Sequence, residues 1–327
     1  MPSVLITGAS GFTGSYLVEE GLNRGFEVYA AIRPSSDLRW LTHPSIRFVR
    51  MDPSDESAIL ESLRLARDSG IRFDHVIHNA GVVKARRHGE YMEVNRDLTI
   101  RFIRALSETG LTPSKFVFMS SLAAWGPGDP VTMEPIRQTD PSKPAGLYGR
   151  SKREAEQYII GESGLPYLIF RPTGVYGPRD RDYAALYRAI RLGLEFYVGT
   201  GNQGLSFIYA SDLARAVYDA MSSSLVNREY FISDGFYYTA EEFSGIVKSI
   251  LRRRTVRVTV PPGLFRFVSA LSEDLFSLWN GRPFLNRDRA VILGSRNWKC
   301  DPSPLFRDLG FTPRYDLRKG LQETLLK

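Results

Sequence analysis

Thr7-Gly8-Ala9-Ser10-Gly11-Phe12-Thr13-Gly14 joins the apolar run Ser3–Thr7 to the stretch Tyr16–Leu22, whose apolar residues keep helical spacing as far as Gly25. A strand that ends in a turn of small residues and opens a helix leaves the first amides of that helix facing outward, where they accept an anion such as a pyrophosphate. Any tight turn uses glycine, so the cluster alone says little. Its position at the head of a strand-turn-helix unit is what predicts a dinucleotide cradle. Gly8, Ser10, Gly11, Phe12, Thr13 and Gly14 are its expected contacts.

Outward from this turn the alternation repeats. Strands are expected at Glu27–Ile32, Ile46–Met51, His75–His78, Lys115–Met119 and Tyr167–Phe170. Helices are expected at Ser57–Arg67, from about Tyr91 to Thr109, and at Leu147–Ile160. Short apolar strands separated by helices predict an α/β fold, a doubly wound parallel sheet covered on both faces, because parallel neighbours need a crossover. After Gly177 the alternation weakens and prolines punctuate the chain, which predicts a second, smaller, mostly C-terminal substrate-binding lobe. The expected division is 1–175 for the dinucleotide lobe, with a return segment at about 205–233, and 176–204 with 234–327 for the smaller one.

The second strand ends in Arg33-Pro34-Ser35-Ser36, with no carboxylate where an NAD-reading fold places one for the ribose. Arg33 and Ser36 therefore predict NADP as the preferred cofactor, through a contact to the 2′-phosphate, with NAD as the other possibility. Asp52, after the third strand, either accepts from the adenine amino group or caps the following helix. Tyr148-Gly149-Arg150-Ser151-Lys152 sets a phenol and an ammonium on one helix face. To act as acid and base near neutrality the phenol must drop by about 3 pKa units, roughly 4 kcal/mol, which Lys152 and a cationic nicotinamide are expected to supply. Ser120-Ser121 follows the Lys115–Met119 strand at its carboxyl edge, where a hydroxyl polarises a substrate carbonyl.

With the turn, His78-Asn79-Ala80-Gly81, Asn95, Met119-Ser120-Ser121 before Trp125-Gly126, Tyr148 to Lys152, and Arg171-Pro172-Thr173-Gly174-Val175-Tyr176-Gly177-Pro178, the chain resembles the extended short-chain dehydrogenase/reductase family over nearly its whole length. That family includes the epimerase/dehydratase enzymes. The resemblance implies a Rossmann lobe, a catalytic set carried by Ser121, Tyr148 and Lys152, and cofactor contacts from Asn79, Ala80, Gly81 and Pro172. Ser121 is chosen over Ser120 because it stands five residues before Gly126. Val83, Leu122, Thr173 and Gly174 are the expected substrate contacts, and Asp212 is expected to cap a helix. Nucleotide-sugar members usually carry an asparagine where this chain has Gly174. Its absence, with Arg33 and the C-terminal segment, makes the chain look closer to the dihydroflavonol reductase and 3β-hydroxysteroid dehydrogenase branch.

The expected reaction is hydride transfer between NADP(H) and a ketone or secondary alcohol. The alternatives are a nucleotide-sugar epimerase or dehydratase with bound NAD, and a cofactor-sensing protein without catalysis. By analogy a homodimer is expected.

Composition narrows the remaining classes. Of 327 residues 43% are hydrophobic and 24% charged, ordinary for a folded chain, which excludes disorder and low complexity. One cysteine, Cys300, forms no internal disulfide and no metal spacing, so no metal and a cytoplasmic home are expected. No run is long and apolar enough to predict a transmembrane segment. The net charge of +7 comes without basic-aromatic interleaving, and no nucleic-acid partner is expected. Arg252-Arg253-Arg254 with Arg257 reads as a solvated helix end. The apolar segment from Leu264 through Leu271 to Trp279 exceeds what one helix face needs. Core packing is its first reading, ahead of a substrate pocket wall, a subunit contact or shallow membrane-surface attachment.

Overall fold

The run Ser3–Thr7 forms strand β1, buried along its whole length, and leads through the glycine turn into helix α1 (Phe12–Asn23). The structure, a computed structural model, describes residues 1–199, 201–277 and 286–326. There follow β2 (Glu27–Ile32), β3 (Arg47–Arg50), α2 (Glu56–Asp68), β4 (His75–His78) and α3 (His88–Tyr91). After them come α4 (Leu98–Glu108), β5 (Lys115–Met119), α5 (Gly146–Gly161) and β6 (Tyr167–Pro172). The single long helix expected from Tyr91 is interrupted: Met92–Asp97 widens into a π-helical stretch that turns Asn95 inward. Asn95 then holds both polar groups of Val82, with N–O distances of 2.8 and 3.1 Å, and donates to Ser151 Oγ at 3.0 Å. Such widened turns recur at functional sites.

The second half contains β7 (Gly174–Tyr176), α6 (Ala184–Arg191), β8 (Leu194–Val198), β9 (Gly204–Leu205), β10 (Phe207–Tyr209), α7 (Ala210–Ser222) and β11 (Arg228–Ile232). Beyond these lie β12 (Tyr238–Thr239), α8 (Ala240–Leu251), β13 (Val256–Val260), α9 (Pro262–Ser277), α10 (Arg287–Gly294), α11 (Ser303–Leu309) and α12 (Leu317–Leu326). Strand β11 returns to the main sheet and completes the parallel order β11-β6-β5-β4-β1-β2-β3. The order reverses beside β1, with β2 on one side and β4 on the other, so a crevice opens at their carboxyl ends.

Alternation along the strands divides the core in two. Val4, Ile6, Val117 and Met119 pack with α1 and α7 on one face, while Leu5, Phe116 and Phe118 pack with α2, α4 and α5 on the other. Each fully buried side chain of this kind contributes roughly 1.5–3 kcal/mol. The smaller lobe is held by an aromatic cluster in which Tyr176, Tyr187, Phe207 and Phe243 are all buried.

Two expectations are corrected here. Asp212 is not a helix cap: it lies in the first turn of α7, and its carboxylate accepts the N–H groups of Arg314 and Tyr315 at 2.8 and 2.9 Å, tying the C-terminal segment to the sheet. The apolar segment is not core. Among the described side chains of α9 only Ser269 is buried; Leu278 and Trp279 lie outside the described residues.

Candidate active site

The turn after β1 leaves no room for a side chain at Gly8 or Gly14. Gly8 has φ +65°, and a Cβ on it would stand 2.8 Å from Ala80 N; a Cβ on Gly14 would stand 2.1 Å from Gly8 O. These two glycines bring the β1 and β4 turns together at the reversal point of the sheet. Asn79 Nδ2 donates to Gly8 O at 3.3 Å, and Ala80 N–H donates to Thr7 Oγ1 at 3.1 Å. Beneath them His78 contacts Thr7 Oγ1 at 2.9 Å and Thr99 Oγ1 at 3.1 Å. Burial, and behind it the nearby Lys152 charge, push its imidazole down to about 3, so it sits neutral under the cradle.

Helix α5 carries Tyr148 and Lys152 one turn apart. Its first turn is capped from the smaller lobe: the Asp288 carboxylate of α10 accepts the N–H of Leu147 and, at 3.1 Å, that of Tyr148. A carboxylate at this position complements the exposed amides of the helix start. Lys152 Nζ donates to Met119 O at 2.9 Å and lies 4.8 Å from the Phe118 ring centroid. One turn further on, Glu156 is fully buried and pairs with the equally buried Arg171 at 2.8 Å. Ser120 Oγ donates to this Glu156 at 2.5 Å, whereas Ser121 Oγ faces the cavity and accepts from Ala123 N at 3.2 Å. The neighbouring serines are thus separated by geometry, one spent on an internal ion pair and one open to a ligand.

Electrostatics depart from the expected drop in the phenol. Burial pushes Tyr148 up to about 12, against a lowering hydrogen bond with Ser121, and burial pushes Lys152 down to about 8, against the Glu156 charge. The ammonium is tied to the Met119 carbonyl and does not offset the desolvation of the phenol. Without a ligand the pair favours neutral tyrosine.

Ser121, Tyr148, Lys152 and the turn after β1 face one cavity of about 1380 Å³. Every site residue expected from the sequence lines it except Gly14, which packs beneath the turn, and Asp52. Asp52 Oδ1 accepts the N–H and O–H of Ser54 at 2.9 and 2.6 Å, and the cap of α2 is Asp55 instead. Gly174 lines the wall at a crowded point: a Cβ there would lie 2.5 Å from the Tyr183 hydroxyl and 2.9 Å from the Phe207 ring.

Sequence reasoning missed the polar end of the cavity. Lys84 and Asp182 form an ion pair at 2.5 Å, with Arg289 3.7 Å from the same carboxylate, and burial raises the neighbouring Asp180. These residues come from three distant segments with no local motif to join them. Arg179-Asp180-Arg181-Asp182 reads in isolation as a solvated charged loop.

The model of the NAD dependent epimerase/dehydratase family matches residues 4–232. The chain belongs to this family. It is a nicotinamide-dependent oxidoreductase of the extended short-chain dehydrogenase class, with a Rossmann-type parallel sheet and an added C-terminal lobe.

Similarity extends over full lengths. The sterol-4-alpha-carboxylate 3-dehydrogenase (decarboxylating) of Dictyostelium discoideum is 23% identical, covering 99% of this chain and 100% of its own. UDP-glucose 4-epimerase of Thermotoga maritima, solved with UDP-glucose, superposes with TM-score 0.78 at 23% identity, covering 98% of this chain and 97% of its own. The UDP-glucose 4-epimerase of Thermus thermophilus, solved with NAD, gives TM-score 0.77 at 23% identity and the same coverage.

These relatives overturn the NADP preference inferred from Arg33: the Thermus epimerase and further solved relatives hold NAD. Near Arg33, the pKa of the Asp52 carboxylate is lowered first by its Ser54 hydrogen bonds and least by the Arg33 charge, so an acidic group does stand within electrostatic reach of the arginine. The Ser36 hydroxyl is engaged as well, accepting the Arg33 N–H at 2.9 Å. Nor do the relatives single out the steroid branch, because sugar-nucleotide and sterol enzymes both match along the whole chain.

Proposed function

We propose that the protein holds NAD in the cradle between β1 and β4 and oxidises or reduces a secondary alcohol carbon with Ser121, Tyr148 and Lys152. The observation that carries this reading is the convergence of those three side chains on the cavity that the glycine turn after β1 also lines. NAD supplies the hydride acceptor, and in its reduced form the donor. The amides that open α1 receive the pyrophosphate, and Gly81 keeps the wall beside Lys152 low: a Cβ there would lie 3.1 Å from Nζ. Lys152 binds the nicotinamide ribose. Ser121 orients the substrate oxygen, and Tyr148 Oη takes its proton during oxidation and returns it during reduction. A cationic ring beside the phenol favours phenolate, which offsets the burial that holds Tyr148 at about 12.

The comparisons favour a nucleotide sugar as the bearer of that carbon, processed by transient oxidation with the NAD retained. A second reading, a lipophilic alcohol or ketone, is favoured by the cavity lining, where Phe196, Leu205, Phe265, Val268, Ile292 and Trp298 present apolar surface. It is also favoured by Gly174, where Tyr183 and Phe207 fill the space an asparagine would need.

The deciding experiment incubates purified protein with NAD and either UDP-sugars or a panel of hydroxysterols and other secondary alcohols, following NADH absorbance and product stereochemistry. Sugar epimer formation without net NADH supports the first reading, and NADH release with an apolar alcohol supports the second. Undiminished turnover by Tyr148→Phe on an active substrate would overturn the catalytic assignment under both.

A further inference from the structure

Strands β8 and β13 form a small parallel sheet of their own, in the register Leu194 to Val256, Phe196 to Val258 and Val198 to Val260. Alternate residues of a strand share a face, so these six apolar side chains lie on one side. Glu195 and Tyr197 take the other and are buried, Glu195 paired with Lys248 of α8 at 2.7 Å. The inner end of the apolar face, Phe196, Val198 and Val260, walls the cavity. Its outer end is open to water, with Val256 67% exposed. Helix α9 follows β13 directly and extends the apolar surface. Leu264 and Val268 wall the cavity yet remain exposed, while Phe267, 65% exposed, and Leu271 lie outside it. A scattered exposed leucine needs no explanation, but a surface built by three apolar elements around a cavity does.

The edge of this surface at the starts of β8 and β13 carries one sign of charge, while Glu273 and Asp274 at the far end of α9 pair with Arg287. From Leu251 to Ser272 the chain has five arginines and no acidic residue. Arg191 precedes β8 and Arg252-Arg253-Arg254 precede β13; Val256 N–H donates to Gly193 O at 2.8 Å, so both basic runs meet at one edge of the small sheet. There Lys248, Ser249 and the three arginines surround a shallow hollow. These four arginine side chains are exposed and make no ion pair among the described residues.

We propose that this face docks on an anionic lipid bilayer. Phe267, Leu271 and Val256 seat at the boundary between headgroups and acyl chains, and Arg191 with Arg252 to Arg254 contacts lipid phosphates. Apolar residues flanked by unpaired cations fit such an interface. A second copy fits it poorly, since a two-fold contact sets like-charged edges against each other. The attachment is peripheral: among the described residues no helix is long and apolar enough to cross a membrane. Docking turns the cavity mouth toward the lipid, and the inference stands apart from the choice of substrate and from the catalytic reading.

The test is co-sedimentation of the full chain, at physiological salt, with vesicles of phosphatidylcholine alone or with about one-third phosphatidylglycerol. Binding is expected on the anionic vesicles, at least about tenfold weaker on the neutral ones, and reduced at least about tenfold by Phe267→Glu and by Arg253→Glu with Arg254→Glu. Both variants change exposed side chains away from the cavity, so unchanged circular dichroism and NAD binding are expected. Absence of binding to anionic vesicles, or wild-type binding by both variants, would overturn the proposal. So would a Phe267→Glu variant that abolishes self-association in light scattering but binds vesicles as before, because the face would then belong to a second copy.

Discussion

The two walls of the cavity are built on opposite principles. The cofactor wall is backbone: glycines at Gly8 and Gly14, the amides of the α1 turn and the carbonyl of Met119 that holds Lys152. The facing wall is side chain, supplied by β8, β13, α9 and α10. A backbone wall demands particular residues at fixed spacing, because one added Cβ collides with a main-chain atom. An apolar wall accepts any side chains of suitable volume. The first fixes the chemistry and the second selects what is brought to it.

The sharpest break in this comparison is Tyr148→Phe. Removing the hydroxyl should lower turnover by about 10²–10⁴-fold, the range for loss of a general acid or base, while NAD affinity in titration stays within about threefold. A parallel loss of NAD affinity would mean that the catalytic helix and the cofactor wall are one unit. Gly14→Val probes the backbone wall from beneath. Its Cβ would stand 2.1 Å from Gly8 O, so the turn must shift. The expected results are a destabilisation of roughly 1–3 kcal/mol in denaturant melts and an NAD affinity at least about tenfold weaker. Normal affinity would show that the cradle tolerates movement.

Lys152→Met gives an opposite sign for stability. In the folded protein Lys152 lies near 8 against an ordinary 10.5, so the unfolded chain binds more protons between those values and stability rises with pH across that window. Below it the buried ammonium is a cost. Replacement by methionine should therefore raise stability near pH 7 by roughly 1–3 kcal/mol, with the gain fading between about pH 8 and 10.5, even as turnover falls. Urea melts at three pH values would show it, and a destabilised variant at pH 7 would mean that the Met119 hydrogen bond outweighs burial.

Legibility followed the same division. The strands β1, β2, β4 and β5 stand where apolar runs between turn signals put them, and the Tyr148 and Lys152 spacing is a property of one helix. Other features depend on contacts between distant residues. Asp288 reaches α5 across 140 positions, and Lys84, Asp182 and Arg289 meet from three segments, so no window of sequence contains the pairing. Arg33 misleads for a related reason: one cation at the end of β2 does not decide which cofactor the assembled cradle takes. The segment at Leu264 was apolar enough for a core, but hydrophobicity carries no information about whether a second layer exists to cover it.

The smallest expected effect joins the two walls. Asp288 belongs to α10, which also supplies Ile292 and Leu293 to the apolar side, yet its carboxylate holds the amides of Leu147 and Tyr148. A substrate that shifts α10 therefore bears on the position of the phenol. Asp288→Asn keeps the shape and removes the charge at the helix start, which should cost about 0.5–1 kcal/mol of stability. Turnover should fall by about three- to tenfold with NAD affinity unchanged, since a small misplacement of a reacting group is felt in the rate before it is felt in cofactor binding. A change confined to substrate affinity, with turnover intact, would show that α10 selects substrate without positioning Tyr148, and the two walls would then act independently.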